Sequence, residues 1–189
     1  IGSLDAAERM LDGLDPSPFP PALRVGHELV VAGIAMRRLR TKPARAALAR
    51  ARDAAHRAGI AGLAAEVEST AKLLATPAAR LIARGQQRPL LLDEVEALMA
   101  SKALVVDACR YVVRDSRTTV SLTRRPVLFA LARALGEAWP QDASRGTLIA
   151  RAFRGKHADE SHRARLRVEI GRLRRALLPL ADLNATPDG

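Results

Sequence analysis

The stretch SHRARLRVEIGRLRRAL, from Ser161 to Leu177, contains six arginines and one glutamate. A guanidinium group carries a permanent positive charge and a rigid fork of donors that matches the oxygens of a phosphate or a carboxylate. Six such groups on one short segment have two interpretations: a solvated helix face, or a surface that binds a polyanion. The residues between the arginines distinguish the two interpretations.

At 100° per residue, this segment has a narrow apolar stripe and an opposite face whose centre consists mostly of small side chains. The stripe consists of Leu166, Ile170, Leu173 and Leu177. The centre of the opposite face consists of Ala164, Val168, Gly171 and Arg175. A face meant only for solubility does not need small residues at its centre, whereas a slim ridge fits a groove about 12 Å wide. From the edges of the stripe, Arg163 and Arg174 would reach phosphates on the groove walls.

The distribution of charge singles out the same part of the chain. The formal net charge is +11; residues 1–100 hold 14 Lys+Arg against 11 Asp+Glu, a net of +3, and residues 101–189 hold 17 against 9, a net of +8. Such an excess favours nucleic acid or an anionic membrane surface as a partner. The sequence has no apolar run long enough for a membrane span, and the first residues lack a signal-peptide pattern, so no membrane association is expected.

Residues 1–84 show the apolar spacing and the breakers of an all-helical domain. Three helices are predicted, in ALRVGHELVVAGIAMRRLR, TKPARAALARARDAAHRAG and IAGLAAEVESTAKLLATP, and Thr41 is the expected N-cap of the second. The domain is either a small bundle or a set of helical hairpins that resemble tetratricopeptide repeats. Residues 85–102, which include Gly85 and Pro89, are expected to form a linker and the short helix DEVEALMAS.

The hydrophobic period changes after residue 103. The segments ALVVDACRYVV and TTVSLT, separated by RDSR, predict short antiparallel strands, and no strand is expected before them. Three helices follow, in RRPVLFALARALGEAW, in SRGTLIARAF and in the arginine-rich segment, with Thr123 and Ser144 as expected caps of the first two. The predicted fold is mainly α: an N-terminal helical bundle or helical hairpins, followed by an α+β winged helix-turn-helix domain over residues 103–189.

These residues resemble the OmpR-type winged-helix output domain of bacterial transcription regulators. The likeness lies in the strand pair, in LT before the first helix, in SR and the following leucine of the second, and in the pattern V-x-I-x-R-L-R-x-x-L of the third. The resemblance implies that the bases in the major groove are contacted by Arg167, Val168, Gly171 and Arg172. It implies that phosphates are contacted by Arg165, Arg174 and Arg175, with Arg145 as an anchor on the DNA backbone.

The sequence departs from this family in two places. The family has an acidic residue where this chain has Arg167, so its base preference does not carry over. The family also ends in a β-hairpin wing, and LNATPDG would supply only the first strand and the turn of that hairpin. The expected wing is therefore incomplete within this sequence.

Two other segments contain residues that bind metals or act as nucleophiles. HADESH, residues 157–162, has two histidines and two carboxylates, but Asp159, Glu160 and Ser161 occupy the positions of an N-cap and first-turn acids, so no metal site is expected. Cys109 lies in a predicted strand and is expected to be a small core residue. The motifs GxxxxGK[ST], GxGxxG, HExxH and GxSxG are absent, so no catalytic residue, no cofactor and no enzymatic activity are predicted.

The sequence thus predicts a sequence-specific DNA-binding transcription regulator. A single cysteine excludes an internal disulfide, which suits a reducing cytoplasm. Double-stranded DNA is the expected partner, and a homodimer would place two arginine-rich helices on half-sites about one helical turn apart. The N-terminal helices are a candidate surface for a protein partner. The alternative, from a different class, is a protein-interaction or scaffold module whose basic winged-helix face docks an acidic partner.

Overall fold

The structure, a computed structural model, describes residues 3–153 and 160–186. These residues are mainly helical and include two small sheets, so the prediction of a mainly helical chain with short strands is confirmed. The chain divides into two compact units: unit 1, which comprises Ile1–Arg80 and Pro89–Ala97, and unit 2, which comprises Leu81–Arg88 and Leu98–Gly189. No helix in the described part of the chain is both long and apolar enough to cross a membrane.

Unit 1 is built from packed helices with an alanine-rich core. The helices are α1 (Leu4–Asp12), α2 (Pro21–Arg37), α3 (Thr41–Ala58), α4 (Ala61–Lys72) and the first residues of α5 (Leu92–Ala100). Buried alanines of α3, including Ala47, Ala51 and Ala54, face Val25 and Ala32 of α2. Small side chains let the helix axes approach closely, and the apolar surface removed from water there holds the helices together.

The expected cap of α3 is instead a tertiary contact. Arg40 occupies the N-cap position without a side-chain capping bond, and Thr41 is the first residue of the helix. The hydroxyl and the backbone N–H of Thr41 both donate to Glu96 of α5, and the N–H bond measures 2.8 Å. These bonds stabilise the carboxylate and hold the pKa of Glu96 below its usual value. The cap prediction failed because the helix begins one residue earlier than expected, and the Thr41 hydroxyl donates to a distant carboxylate instead of accepting an N–H of the first turn.

Two strands lie before residue 103, where none was expected. They are β1 (Ala79–Ala83) and β2 (Gln86–Leu90). The two residues between them, Arg84 and Gly85, have φ values of 52° and 73°. Positive φ at both central residues is the geometry of a type I′ turn, whose twist matches that of a hairpin. The strands were not predicted because they are largely exposed and lack alternating hydrophobicity.

The longer segment of unit 2, Leu98–Gly189, contains a three-stranded antiparallel sheet. Its strands are β3 (Val105–Asp107), β4 (Val112–Arg114) and β5 (Thr119–Ser121), with β4 in the centre. Antiparallel strands were predicted, but the first segment forms two strands and not one. The Asp107 side chain accepts bonds from the N–H groups of Cys109 and Arg110, which closes a turn between β3 and β4. Cys109 is consequently exposed in a turn, so its prediction as a core residue was wrong.

A second side chain of the same type closes the next turn of the sheet. The backbone N–H groups of Thr118 and Arg117 donate to Asp115, and both bonds lower the pKa of the Asp115 carboxyl. The turn between β4 and β5 matches the predicted RDSR connection. A carboxylate that bonds to the backbone two or three residues further along is a common way to fix such a turn.

Three helices complete unit 2, and they share one apolar core with the sheet. They are α6 (Pro126–Ala138), α7 (Arg145–Phe153) and α8 (Glu160–Leu177). The core combines Val113 of the sheet with Leu131, Ile149 and Leu173 of the helices. Ser144 caps α7 as predicted, since its hydroxyl accepts the N–H of Thr147 at 3.2 Å.

The other predicted cap of unit 2 was wrong. Arg125 occupies the N-cap position of α6 without a side-chain bond, whereas the Thr123 hydroxyl bonds to Ser121. The predicted terminal strand of the wing is also not found among residues 183–186, which have no regular secondary structure. The remaining residues of LNATPDG lie outside the described part of the chain.

Candidate nucleic-acid interface

The apolar stripe of α8 docks the helix on the core of unit 2. Leu166, Leu173 and Leu177 are buried, and Ile170 is partly buried against the same core. Leu173 has no exposed surface and is among the largest fully buried side chains. The stripe predicted from the helical wheel is therefore confirmed, and the arginine-rich face must point away from the core.

The outward face of α8 carries the slim ridge that the sequence predicted. Val168 is 53% exposed at the centre of this face. Ala164 is exposed beside it, and Gly171 is partly exposed with no atom within 4 Å of the position that a Cβ would take. Nothing in the described part of unit 2 fills the space in front of Gly171, so the ridge is open to a partner.

One flank of the ridge borders a cavity between α7 and α8, here called the α7–α8 cavity. Its volume is about 330 Å³. It is lined by four arginines and one carboxylate: Arg145, Arg163, Arg167, Arg174 and Asp142. All four arginines were predicted to contact DNA, and the structure brings Arg145 of α7 next to three arginines of α8. The other lining residues include apolar residues of the core and residues 183–186.

The opposite flank borders a second cavity, here called the α6–α8 cavity, with a volume of about 680 Å³. It is also lined by four arginines and one carboxylate: Arg124, Arg125, Arg172, Arg175 and Glu169. Arg172 and Arg175 were predicted to contact DNA. Arg124 and Arg125, which immediately precede α6, were not. The sequence signal for them is the pair of adjacent arginines in TRRP, directly before the proline that begins α6.

Three of the predicted phosphate-binding arginines have contacts within unit 2. The Arg174 Nε donates to the Leu183 carbonyl at 2.7 Å, and the Arg163 guanidinium lies 3.4 Å from Glu160. The guanidinium carbon of Arg165 lies 4.6 Å from the centre of the Phe153 ring, a cation–π contact that leaves its N–H groups available. These exposed contacts are weak enough to be exchanged for phosphate contacts.

Glu169, the one acidic residue inside the basic face, forms an ion pair with Arg172. Their closest atoms are 2.8 Å apart, and the Glu169 side chain is only 13% exposed while that of Arg172 is 61% exposed. Helix geometry would also let Glu169 pair with Arg165, four residues earlier, but in the structure its partner is Arg172. The contact is made by a terminal nitrogen of the Arg172 guanidinium, so the largely buried carboxylate restricts the directions in which that guanidinium can point.

The sequence also contains histidines and carboxylates that could bind a metal ion, above all in HADESH. Within residues 3–153 and 160–186, no group of three His, Cys, Asp or Glu side chains is arranged to hold a metal ion. His157 and Asp159 of HADESH lie outside the described residues. His162, from the same segment, packs against Phe153 with ring centres 5.9 Å apart.

The arrangement as a whole is an apolar ridge between two arginine-lined flanks. Each flank combines arginines of α8 with arginines from another element, Arg145 of α7 on one side and the pair before α6 on the other. Guanidinium groups on both sides of a narrow ridge suit a ligand with two negatively charged walls.

Comparisons with protein families, with curated proteins and with solved structures find no match to this chain. The resemblance to the OmpR-type domain therefore rests on the sequence motifs.

Proposed function

We propose that the protein is a sequence-specific DNA-binding transcription regulator that inserts α8 into the major groove. The observation that carries this proposal is the ridge of Ala164, Val168 and Gly171 between the two arginine-lined cavities. The major groove of B-DNA is about 12 Å wide and admits one helix, with a phosphate backbone on each side. A basic face on a solvated helix would need neither the small ridge nor basic residues contributed by other elements.

The proposed base contacts are Arg167, Val168, Gly171 and Arg172. The exposed methyl groups of Val168 suit an apolar contact with a thymine methyl, and an arginine fork suits the O6 and N7 acceptors of guanine. Gly171 permits close approach of the helix backbone to the base edges. The ion pair with Glu169 limits the motion of Arg172, which favours a directed contact over a diffuse one.

The proposed phosphate contacts are Arg145, Arg163, Arg165, Arg174 and Arg175. They lie on both flanks of the ridge, and phosphate contacts fix the position of a protein on the duplex without reading its sequence. Neutralised phosphates release counterions, so affinity falls as salt rises. If α8 and its neighbours engage about six phosphates, the slope of log K against log[salt] is near −5.

The test is selection of duplexes from a random pool by the full chain, followed by titration of the selected duplex and a scrambled duplex. We expect enrichment of a common motif, tighter binding of the selected duplex, and the steep salt slope given above over about 50–200 mM salt. Replacement of Arg172 by Gln should reduce the preference for the selected duplex, and Arg174→Gln should weaken both duplexes equally.

Two outcomes would contradict the proposal. A flat salt response would mean that the arginines do not neutralise phosphates. Failure to bind any duplex at low salt would instead favour the alternative function, a protein-interaction module whose basic face docks an acidic partner. Equal losses on both duplexes for the Arg172 and Arg174 variants would contradict the assignment of Arg172 to the bases.

A further inference from the structure

The α6–α8 cavity extends the basic surface beyond the arginine-rich helix. Arg124 and Arg125 come from the segment between β5 and α6, whereas Arg172 and Arg175 come from α8. The two pairs are far apart in sequence, so the fold alone brings them to one cavity. Four guanidinium groups at one cavity repel one another, and an anion that enters the cavity relieves this repulsion.

The backbone at the start of α6 holds the two additional arginines in place. The N–H of Arg125 donates to the Leu122 carbonyl at 2.8 Å, and the carbonyl of Arg125 accepts the N–H of Phe129 at 3.0 Å. Leu122 is fully buried, and Phe129 is buried in the same core. Both arginine side chains are exposed, so they project from a rigid base and lose little backbone freedom when they bind a ligand.

The charges that line this cavity are poorly compensated. Glu169 already forms its ion pair with Arg172. Within the part of the chain that the structure describes, the side chains of Arg124, Arg125 and Arg175 make no hydrogen bond or ion pair with a carboxylate. The first turn of α6 contains no acidic residue either, and its partial positive charge adds to that of the arginines. Three guanidinium groups therefore remain for an external anion.

We propose that Arg124, Arg125 and Arg175 form a binding site for a phosphodiester of the DNA backbone, on the α6 flank of the groove that receives α8. This inference rests on the proposed function, and it adds residues that the helical wheel of α8 cannot reach. The ligand chemistry is that of a phosphate oxygen, which guanidinium forks bind through paired hydrogen bonds. Because a phosphodiester is the same in every base pair, this site contributes affinity and no sequence preference.

The test compares the double variant Arg124→Gln, Arg125→Gln with a control of equal charge, Arg110→Gln, Arg117→Gln. Both control arginines are exposed residues of the turns in the sheet of unit 2, and neither lines a cavity of the interface. Thermal melting checks that both variants fold. In the double variant, the salt slope should become shallower by about 2, and affinity for the selected and scrambled duplexes should fall equally, by about tenfold or more. The control should keep the salt slope of the unchanged chain.

The outcomes separate this inference from the proposed function. If the unchanged chain binds duplex with a steep salt slope but the double variant behaves like the control, the α6 site is wrong and the function of α8 stands. If the unchanged chain binds no duplex, the proposed function fails, and this site fails with it. A separate arm replaces chloride by inorganic phosphate at equal ionic strength. If phosphate competes specifically for the unchanged chain but not for the double variant, and both have the same salt slope, the site binds free phosphate. That result would overturn the duplex contact.

Discussion

The two units differ in how far their arginines are balanced by carboxylates. In unit 1, arginines pair with carboxylates that are distant in sequence. These pairs are Arg38–Asp5, Arg40–Glu8, Arg45–Asp93, Arg50–Glu28 and Arg52–Glu68. In unit 2, eight arginines line two cavities that contain only two carboxylates. The number of arginines in a segment therefore says little about binding until their acidic partners are located in space.

This difference has a physical consequence for each unit. Exposed ion pairs in unit 1 contribute little to stability, but they cancel the electric field of the arginines at a distance. The excess of arginines over carboxylates in unit 2 leaves a positive field around α8, and such a field attracts a polyanion and accelerates its association. The proposed division of labour is therefore a folded helical unit with internally neutralised charge and a second unit with charge directed outward.

The largest expected effect concerns the residue that keeps the basic face of unit 2 outward. Replacement of Leu173 by Ala should lower the free energy of unfolding by about 2–5 kcal/mol, because it leaves a cavity where a fully buried side chain had packed. The control is Val168→Ala on the exposed ridge, which should change the stability by less than about 0.5 kcal/mol. Denaturant unfolding of the full chain measures both. Equal effects would mean that the ridge, too, is packed against protein.

A smaller effect should distinguish the arginines of the two units. Arg50 binds both oxygens of the buried Glu28 carboxylate, at 2.9 Å and 2.8 Å. Because Arg50→Gln would leave that carboxylate without its partner, it should destabilise the protein by about 1–3 kcal/mol. Arg175→Gln in unit 2 should leave the unfolding transition unchanged while it weakens duplex binding. Arg52→Gln, from the exposed pair with Glu68, should change neither quantity. A loss of duplex binding in this variant would contradict the assignment of duplex binding to the arginines of unit 2.

The smallest change in stability is expected from two matched glycine substitutions. Gly171→Ala and Gly26→Ala each place a methyl group in open space on a helix, and each should raise stability by about 0.5–1 kcal/mol. Only Gly171 lies on the proposed ridge, so only Gly171→Ala should weaken binding of the selected duplex. Melting curves and duplex titrations on the same samples measure the two effects. Unchanged duplex binding by the Gly171 variant would remove the ridge from the interface.

Features set by local periodicity were predictable from the sequence. The stripe through Leu166, Leu173 and Leu177 and the cap at Ser144 follow from residues within a few positions of each other, and the structure confirms both. The turn at Asp107 and the exposed strands around Gly85 were missed. The Asp107 side chain bonds to the backbone of a turn, and that turn divides an apolar run that was predicted as one strand. The strands around Gly85 pair with each other and need no buried face, so they have no alternating hydrophobic pattern.

The sequence by itself determined that α8 is an amphipathic helix with leucines on one side and a small, basic face on the other, because a helix places residues by a fixed angle. Only the tertiary structure decided which other arginines stand beside that face. Arg145, Arg124 and Arg125 belong to other elements, and their distance from α8 depends on how the core of unit 2 packs the three helices together. The wheel of one helix contains no information about its neighbours, whereas the shared core fixes them in space.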